Sequence, residues 1–392
     1  MPRHALDGLR VLDLSRVLAG PLCCMMLGDH GADVIKVEPP EGDETRTWGP
    51  PFIDGQSAYY LNINRNKRGI VLNLATADGQ EAARRLAMSS DVLVENFKSG
   101  TMERWGLSYE RLLALNPRLI YARISGFGRD GPYAHVAGYD AVLQAMGGFM
   151  SINGEADGSP LKAGVAVVDI ATALYANQAI LLALYHRERT GQGQLVEATL
   201  LDSAVNLLHP HNSSYLNGGL VNKPHGNSYP MISPYDLLHA ADRPVYVPGG
   251  NDAQVRRLLE ALGRADLNDD PRFRTNQDRI RHRTELLELV GAELRKRPAA
   301  EWCRILWAES VPFGTVNSLP EVFADRQVQH RGLVVESPHP GLTSGVVRTI
   351  KPGATLYETP AEVRRPPPLL GEHTGEVMAE LGLVLSTGSG PQ

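Results

Sequence analysis

The chain contains 392 residues, of which 43% are hydrophobic and 21% are charged, and its net charge is −5 with histidines counted as neutral. This composition excludes a disordered chain, and the length predicts two or three domains. No dense Lys/Arg run is present, so no nucleic-acid partner is expected. Cys23, Cys24 and Cys303 lack any disulfide-framework or metal-site spacing. We therefore expect a reduced, cytoplasmic protein without a metal.

The first third of the chain alternates short apolar runs with helix-like segments. Helices are predicted near residues 21–29 and 78–88, and strands at residues 9–14, 33–38, 70–74, 92–95 and 119–124. Strands that alternate with helices indicate an α/β fold with a parallel, doubly wound sheet. A nicotinamide site is disfavoured, because residues 15–21 read SRVLAGP where a dinucleotide-binding fold carries GxGxxG.

No membrane partner is expected from the hydrophobic pattern. The N-terminus lacks the apolar run of a signal peptide, and the most apolar stretch, residues 164–186, contains Asp169, Asn177 and Gln178. A transmembrane span rarely tolerates such a set, so this stretch predicts a buried helix.

The composition changes after Leu208 and suggests where the domains divide. Residues 1–208 are predicted as the first part of a large domain, followed by a linker at 209–235 that is rich in His, Pro, Asn, Gly and Ser. A smaller domain is predicted at 236–330, with a strand at 244–247 and helices at 252–262 and 284–296. Residues 331–392 are predicted as a return linker and a C-terminal part of the large domain, with a last helix near 375–381.

Asp169 is the most informative polar residue, because it enters the long apolar helix. Asp before an apolar run is a common helix N-cap. A carboxylate among apolar residues near a helix N-terminus can also stay ionised yet poorly hydrated, which suits a nucleophile. The residues alone leave both interpretations open.

Other candidate groups are weaker. His209, His211, His225 and His239 are not completed by a carboxylate or cysteine at a familiar metal spacing. Ser15 and Ser125 follow predicted strands, but no GxSxG motif surrounds them. Arg104 and the Lys67-Arg68 pair fit either solvated surface charge or phosphate contact.

Taken in order, several short motifs resemble the class III CoA-transferases, the formyl-CoA transferase or CaiB-BaiF family. They lie at residues 11–14, 19–21, 31–38, 66–68, 94–97, 115–117, 138–140, 190–193 and 368–374. The resemblance implies an enzyme of the EC 2.8.3 type in which Asp169 is the covalent nucleophile. It also implies a CoA thioester and a carboxylic acid as substrates, and no prosthetic group.

Within the family, the chain resembles the succinyl-CoA:glutarate CoA-transferase branch at Arg16 and at residues 43–52 and 365–368. This implies succinyl-CoA as the donor and a dicarboxylic acid as the acceptor. The alternatives are a formyl-CoA/oxalate-type or other monocarboxylate transferase, a non-catalytic CoA-binding protein, and a 2-methylacyl-CoA racemase. The racemase is disfavoured because Tyr139 occupies the place of its histidine, so a second base is missing.

The resemblance also implies an architecture and a set of CoA contacts. The architecture is a Rossmann-like large domain built from both chain ends, a smaller α+β domain, and two subunits interlocked as a homodimer. The implied contacts are Val17, Leu18, Leu72, Asn73, Leu74, Ala75, Asn96, Phe97, Lys98, Arg104, Val136, Ala137, Gly138 and Tyr139. The chain departs from the family pattern at Leu18, Pro39 and Ala75, and residues 226–235 are the candidate for a mobile loop.

A dicarboxylate needs a positive partner for the carboxylate that does not react, because an unpaired buried charge is costly. Arginine holds a carboxylate with two hydrogen bonds. Arg16, after the first strand, and Arg46, in the 43–52 stretch, are the candidates. The alternative for Arg46 is a local pair with Asp43 or Glu44 that only orders the loop.

Overall fold

The structure is a computed structural model, which describes residues 3–383. The strands are β1 (Arg10–Asp13), β2 (Asp33–Glu38), β3 (Phe52–Ile53), β4 (Gln56–Ser57), β5 (Lys67–Val71), β6 (Val92–Glu95), β7 (Ile120–Ser125), β8 (Leu195–Thr199), β9 (Tyr235–His239), β10 (Pro244–Pro248), β11 (Gly314–Thr315), β12 (Val334–Pro338) and β13 (Val346–Ile350).

The α-helices are α1 (Ala19–Asp29), α2 (Ala58–Ile63), α3 (Ala77–Met88), α4 (Thr101–Arg104), α5 (Tyr109–Leu115), α6 (Asp140–Met146), α7 (Phe149–Ile152), α8 (Val167–Thr190), α9 (Leu200–Asn206), α10 (His211–Gly218), α11 (Asp252–Ala261), α12 (Asn276–Arg281), α13 (Arg283–Leu294), α14 (Ala299–Ala308), α15 (Leu319–Ala324), α16 (Arg326–His330) and α17 (Thr374–Glu380). Two 3-10 helices span Glu44–Thr47 and Ala265–Asn268.

A six-stranded parallel sheet organises the larger part of the chain. Its order is β5-β2-β1-β6-β7-β8, so the strands run outward from β1 in one direction and from β6 in the other. This is the strand order of the Rossmann type, in which ligands bind at the carboxyl ends of the strands where the order reverses. The predicted mixed α/β fold with a large parallel sheet is confirmed.

The sheet is covered on both faces, so its strands are largely buried on both sides, and charged residues within them, such as Lys36 and Lys67, are buried in ion pairs. Side chains alternate along a strand, so Val11 of β1 enters one core and Leu12 the other. The first core is formed with α1, α8 and α9, and the second with α3, α5 and α17. Both cores fix the carboxyl end of the sheet.

The chain forms two compact units. The larger one combines residues 3–149, Ala163–Gly219 and residues 330–383. Helix α17 packs beside β5 through Arg68, which pairs with Glu376 and Glu380. The smaller one combines Met150–Lys162 with Leu220–Gln329. The larger unit extends to Gly219, beyond the composition change at 208, residues 150–162 belong to the smaller unit, and the chain returns to the larger unit at His330.

The smaller unit has its own antiparallel sheet, in the order β11-β10-β9, and its own apolar core. Three helices supply much of that core, α11, α13 and α14. The predicted strand at 244–247 and helices at 252–262 and 284–296 correspond to β10, α11 and α13.

The predicted linker at 209–235 is more structured than its composition suggests, because it contains α10. Later in the segment, Arg283 Nη2 donates to the carbonyl oxygens of Tyr229 (2.8 Å) and Ile232 (3.0 Å). Asn276 Nδ2 donates to the carbonyl oxygen of Met231 at 2.9 Å. These bonds anchor the candidate mobile loop within the smaller unit.

Helix α8 is the one helix among residues 3–383 that is long and apolar enough to cross a membrane by length and composition. A core helix of a folded domain passes the same test. Its inner face is buried in the first core through Val168, Ala173, Ala176 and Ile180. Its outer face exposes Leu174, Leu182 and Tyr185, among others.

Candidate active site

A cavity of about 470 Å³ opens in the larger unit at the carboxyl ends of β1, β6 and β7. This is the place where the strand order reverses, and it is where α/β sheets bind their ligands. Three loops and the head of α8 line the cavity, and Asp169 is part of its wall.

The loop after β1 is held in a tight conformation. Val17 has φ +67°, a left-handed value that is costly for a β-branched residue. Gly20 is required here, since a Cβ at that position would lie 2.3 Å from the Ser15 side chain. Lys36 Nζ donates to the Ser15 carbonyl oxygen at 3.0 Å. These contacts fix the loop in which residues 16–18 form part of the cavity wall.

Buried charges support this loop. Lys67 Nζ lies 2.9 Å from Asp13 Oδ2, and both side chains are completely buried. Lys36 and Asp43 form a second buried pair at 2.9 Å. Burial alone would raise the pKa of Asp13, but the charges of Lys67 and Lys36 outweigh it and hold that pKa below its ordinary value. The carboxylate also accepts a hydrogen bond from Ser15 Oγ, which ties the charges to the loop.

The loop after β6 is joined to the loop after β1. Asn96 Oδ1 accepts from the Arg16 backbone N–H (2.9 Å), and Asn96 Nδ2 donates to the Arg16 carbonyl oxygen (2.8 Å). Glu95 is fully buried, accepts from the Phe97 N–H at 2.9 Å, and pairs with Arg129. The Asn96 side chain therefore fixes the backbone that presents Arg16.

Two glycines form the third wall. A Cβ on Gly126 would lie 2.8 Å from the Gly138 Cα, and one on Gly138 would lie 2.6 Å from the Gly126 Cα. The end of β7 and residues 134–139 therefore meet backbone against backbone. Any larger side chain at either position would push residues 136–139 away from the cavity.

Asp169 is the third residue of α8 and is half-buried. Within residues 3–383 its carboxylate accepts no hydrogen bond. Burial, followed by the negative charge of Asp140, raises the pKa of Asp169 to about 7. The site thus holds a carboxylate that loses its proton only near neutral pH and is poorly stabilised once ionised, and a poorly stabilised carboxylate is suited to act as a nucleophile.

The N-cap interpretation of Asp169 is wrong. Helix α8 is preceded by Ala166, which has no capping side chain. Asp140 of α6 acts in its place, since its Oδ1 accepts from the N–H groups of Val168 (2.8 Å) and Asp169 (3.2 Å). The Asp169 side chain therefore does not cap the helix and lines the cavity instead.

A tyrosine outside the cavity lining shares the same electrostatic environment. Burial, and then the charges of Asp169, Asp140 and Asp43, raise the pKa of Tyr59 to about 12. Its ring packs edge-on against Trp48 with centroids 5.1 Å apart. Tyr59 therefore stays a neutral phenol.

The structure brings eleven of the predicted site residues to the cavity wall, namely Arg16, Val17, Leu18, Asn96, Phe97, Lys98, Val136, Ala137, Gly138, Tyr139 and Asp169. Six predicted residues lie outside the lining, namely Arg46, Leu72, Asn73, Leu74, Ala75 and Arg104. Arg104 lies at the end of α4, where its Nη2 donates to Oγ1 of Thr101 in the same helix at 3.0 Å.

Arg46 is occupied by other partners. Its guanidinium makes two 2.7 Å hydrogen bonds with Glu38 and stacks 3.7 Å from the centroid of the Tyr60 ring. The expected local pair with Asp43 or Glu44 is not what the structure shows, since Asp43 pairs with Lys36. Among residues 3–383, the one ion pair of Arg16 is a loose contact with Glu44, at 3.9 Å between Nη1 and Oε1.

Sequence reasoning missed the lining contributed by the end of β7 and by several isolated positions, namely Ala19, Glu44, Ser99, Ile124, Ser125, Gly126, Phe127, Gly128, Ala134, His135 and Leu200. The available signal was the Ser-Gly-Phe-Gly sequence directly after a predicted strand. In a parallel sheet, such a loop lies at the ligand-binding edge.

Comparison with known proteins places this geometry in a family. The family model described as CoA-transferase family III matches residues 6–374, nearly the whole chain. The chain belongs to this family. It is therefore an enzyme of the CoA-transferase class, EC 2.8.3 type, and the predicted family resemblance is confirmed.

The CoA-transferase is 46% identical over 389 residues to the succinate–glutarate CoA-transferase of Agrobacterium fabrum, with 97% of each chain covered. It is 41% identical to the succinyl-CoA:glutarate CoA-transferase of Mus musculus, with 96% of this chain and 86% of the mouse protein covered. The crystal structure of a CaiB/BaiF family protein from Brucella suis superimposes with a TM-score of 0.87 at 42% identity, covering 96% and 99% of the two chains. The branch predicted from the sequence is confirmed by these relatives.

Proposed function

We propose that this CoA-transferase moves CoA from succinyl-CoA to a second dicarboxylic acid through covalent intermediates on Asp169. The observation that carries the proposal is the Asp169 carboxylate, which faces the cavity without a hydrogen bond from the described residues and has a pKa of about 7. The acid class comes from the relatives, since proteins named for succinate and glutarate share 41–46% of their residues with this chain.

The reaction consists of four displacements. The Asp169 carboxylate attacks the thioester carbonyl carbon, the C–S bond breaks, and CoA thiolate leaves a mixed anhydride behind. The thiolate then attacks the aspartyl carbonyl, which releases the donor acid and leaves an aspartyl-CoA thioester. The acceptor carboxylate displaces the thiolate from that thioester, and the thiolate attacks the acceptor side of the new anhydride, which regenerates Asp169. Each bond broken is replaced by one of similar energy, so no ATP is consumed, and water must be excluded.

The cavity is large enough for the reacting acyl group and the adjoining arm of CoA. We assign the arm to the loops around Val17, Leu18, Phe97 and residues 136–139, whose lining residues are mostly apolar. Lys98 is exposed at the wall and supplies a positive charge for phosphate. The predicted contacts at residues 72–75 and Arg104 then belong to the part of CoA that extends outside the cavity.

Arg16 is proposed to bind the distal carboxylate of the acceptor. It lines the cavity, its side chain is 44% exposed, and its only ion pair among residues 3–383 is the 3.9 Å contact with Glu44. Phe97 lies 5.3 Å below the guanidinium and orients it toward the cavity. Arg46 is not proposed to bind the distal carboxylate, because its charge is already neutralised by Glu38.

Arg16→Met is expected to lower transfer to glutarate about 100-fold and transfer to butyrate less than about threefold, because only the dicarboxylate loses a charge partner. The kcat/KM for each acid would be measured with succinyl-CoA as donor by separating the acyl-CoA products. In a ping-pong reaction this constant reports only the acceptor half of the cycle, so any effect of the variant on succinyl-CoA, which also has a distal carboxylate, is left out. Arg348→Met, which removes a 70% exposed arginine of β13, is the matched control. Equal losses for the two acids would reject Arg16 as the distal-carboxylate residue.

The activity itself is tested by incubating the enzyme with succinyl-CoA and a panel of monocarboxylic and dicarboxylic acids. We expect new acyl-CoA with dicarboxylates of four to six carbons and little with monocarboxylates of equal length. A preference for monocarboxylates would reject the dicarboxylate assignment while leaving the family unchanged.

An interlocked homodimer is proposed for the native state. The outer face of α8 together with α10 exposes large apolar side chains, including Leu174 (55%), Leu182 (62%), Tyr185 (65%) and Leu216 (77%). Large exposed apolar surface is characteristic of a protein interface. A second copy of the chain is the occupant that family membership supports.

Sedimentation should therefore show a dimer that persists on dilution to nanomolar concentration, because obligate interfaces are large and apolar. Leu182→Glu should weaken or abolish the dimer, since a charge would be buried at its centre. Glu288→Gln, a change on α13 in the smaller unit, is the control. An active monomer of about 43 kDa would contradict the proposal.

We also propose that the enzyme is located in the cytoplasm. Cys23, Cys24 and Cys303 are buried free thiols, and burial raises the pKa of Cys23 to about 12. Unpaired cysteines of this kind fit a reducing compartment.

A further inference from the structure

The amide groups at the head of α8 are satisfied from a different helix. The first N–H groups of any helix lack partners within the helix and need an outside acceptor. In α8 the preceding residue, Ala166, provides none. The acceptor is Asp140, 28 residues before Val168, whose Oδ1 accepts from the N–H groups of Val168 and Asp169.

Asp140 is itself held by a buried side chain. Gln144, one turn later in α6, is completely buried, and its Nε2 donates to Asp140 Oδ2 at 2.5 Å. The other end of that amide, Gln144 Oε1, accepts from the Ala163 N–H at 2.8 Å. Both oxygens of Asp140 are thus engaged, and the same glutamine ties the segment that leads into α8 to α6.

This arrangement changes what Asp169 experiences. A carboxylate in the first turn of a helix is ordinarily stabilised by free amides and by the helix dipole, which lower its pKa and its reactivity. Here Asp140 occupies two of those amides and adds a second negative charge. After burial, that charge is the second cause of the raised pKa of Asp169. Tyr59, on α2, is close to the same two carboxylates and is itself uncharged, because its pKa is raised to about 12.

We propose that Asp140, fixed by Gln144, is a positioning residue that occupies the amides at the head of α8 and so keeps the Asp169 carboxylate unbonded and reactive. The inference rests on the proposed role of Asp169 as the nucleophile. Asp140 touches neither the acyl group nor CoA in this role, since it acts through the backbone and the charge of its neighbour.

Asp140→Asn and Asp140→Ala separate the two effects. The asparagine keeps a carbonyl oxygen for the amides of α8 and removes the charge, while its Nδ2 replaces the oxygen that accepts from Gln144 Nε2 and so gives up that one hydrogen bond. The alanine removes the oxygen for the amides, the charge and the bond to Gln144 together. In Asp140→Asn the acid limb of the kcat–pH profile should move down by roughly one unit, because a like charge next to Asp169 has been removed. The KM for succinyl-CoA should stay within about twofold, because substrate binding is untouched. Asp140→Ala should lower kcat at least about tenfold, since freed amides can bind Asp169.

Ser108→Ala is the control, because it removes the N-cap of α5, where Ser108 Oγ accepts from the Arg111 N–H, without touching the cavity. It should leave the pH profile and kcat unchanged. An unchanged acid limb and kcat in Asp140→Asn, with Asp169→Ala inactive, would overturn the inference alone. Full activity in Asp169→Ala would instead overturn the proposed nucleophile, so the two failures are distinguishable.

Discussion

Asp169→Ala is expected to lower CoA transfer by at least about 10³-fold, because removal of a covalent nucleophile eliminates the pathway through enzyme-bound intermediates. The dissociation constant for CoA should change less than about threefold, since the loops that form the cavity do not depend on Asp169. Steady-state rates with succinyl-CoA and glutarate, together with calorimetric titration of CoA, measure both quantities.

The same variant should not be less stable than the wild type at pH 8. The pKa of Asp169 is raised in the folded protein from 3.8 to about 7, so the folded state binds a proton that the unfolded state has lost. The resulting loss of stability grows as pH rises from 4 to 7 and is complete above 7. Alanine removes that loss, and melting curves at pH 5 and pH 8 should show the variant gaining relative to wild type at the higher pH. Asp266→Ala, an exposed residue paired with Arg264, is the matched control. A variant that is inactive and unfolded at pH 8 would contradict this prediction.

Lys67→Met is expected to destabilise the protein by about 3–5 kcal/mol, the second large effect, because it breaks a buried ion pair and leaves a buried carboxylate behind. Lys67 Nζ donates to Asp13 Oδ2 (2.9 Å), the Pro21 carbonyl oxygen (2.8 Å) and Asn64 Oδ1 (2.9 Å). Methionine fills the volume but satisfies none of these acceptors. Urea unfolding at one fixed protein concentration measures the loss as a lower midpoint.

Lys296→Met is the control for this substitution. Lys296 forms a surface pair with Glu293 three residues away, and its side chain is 63% exposed. Its loss should cost less than about 1 kcal/mol. Equal midpoints for the two variants would show that the buried pair does not stabilise the sheet, and that the loop after β1 is held by other contacts.

Elements with strong local patterns were predictable from the sequence. The strands at 33–38 and 92–95 have the predicted bounds, because each is rich in Val, Ile or Leu, which favour strands. Helix α10 was not predicted, since His, Asn, Ser and Gly have low helix propensity. Strand β8 was also missed, because five residues beside a long helix give little periodicity.

The site was predictable as far as the family motifs and strand ends reach. The expected pairing of Arg46 with Asp43 or Glu44 was wrong, because it was inferred from their closeness in sequence. The fold instead brings Glu38, at the end of β2, to Arg46. The interpretation of Asp169 as the N-cap of α8 was wrong for a similar reason, since the residue that accepts from the first amides, Asp140, is distant in sequence. The contact between Gly126 and Gly138 exists only once the chain has folded, so no local pattern reports it.

The central claim, that Asp169 carries CoA during turnover, is tested most directly by peptide mass analysis after brief mixing with succinyl-CoA alone. The account predicts that the peptide containing Asp169 gains the mass of one CoA less one water, that hydroxylamine removes the adduct, and that Asp169→Ala lacks it. An adduct on a different residue, or rapid transfer with no adduct on Asp169, would contradict the account.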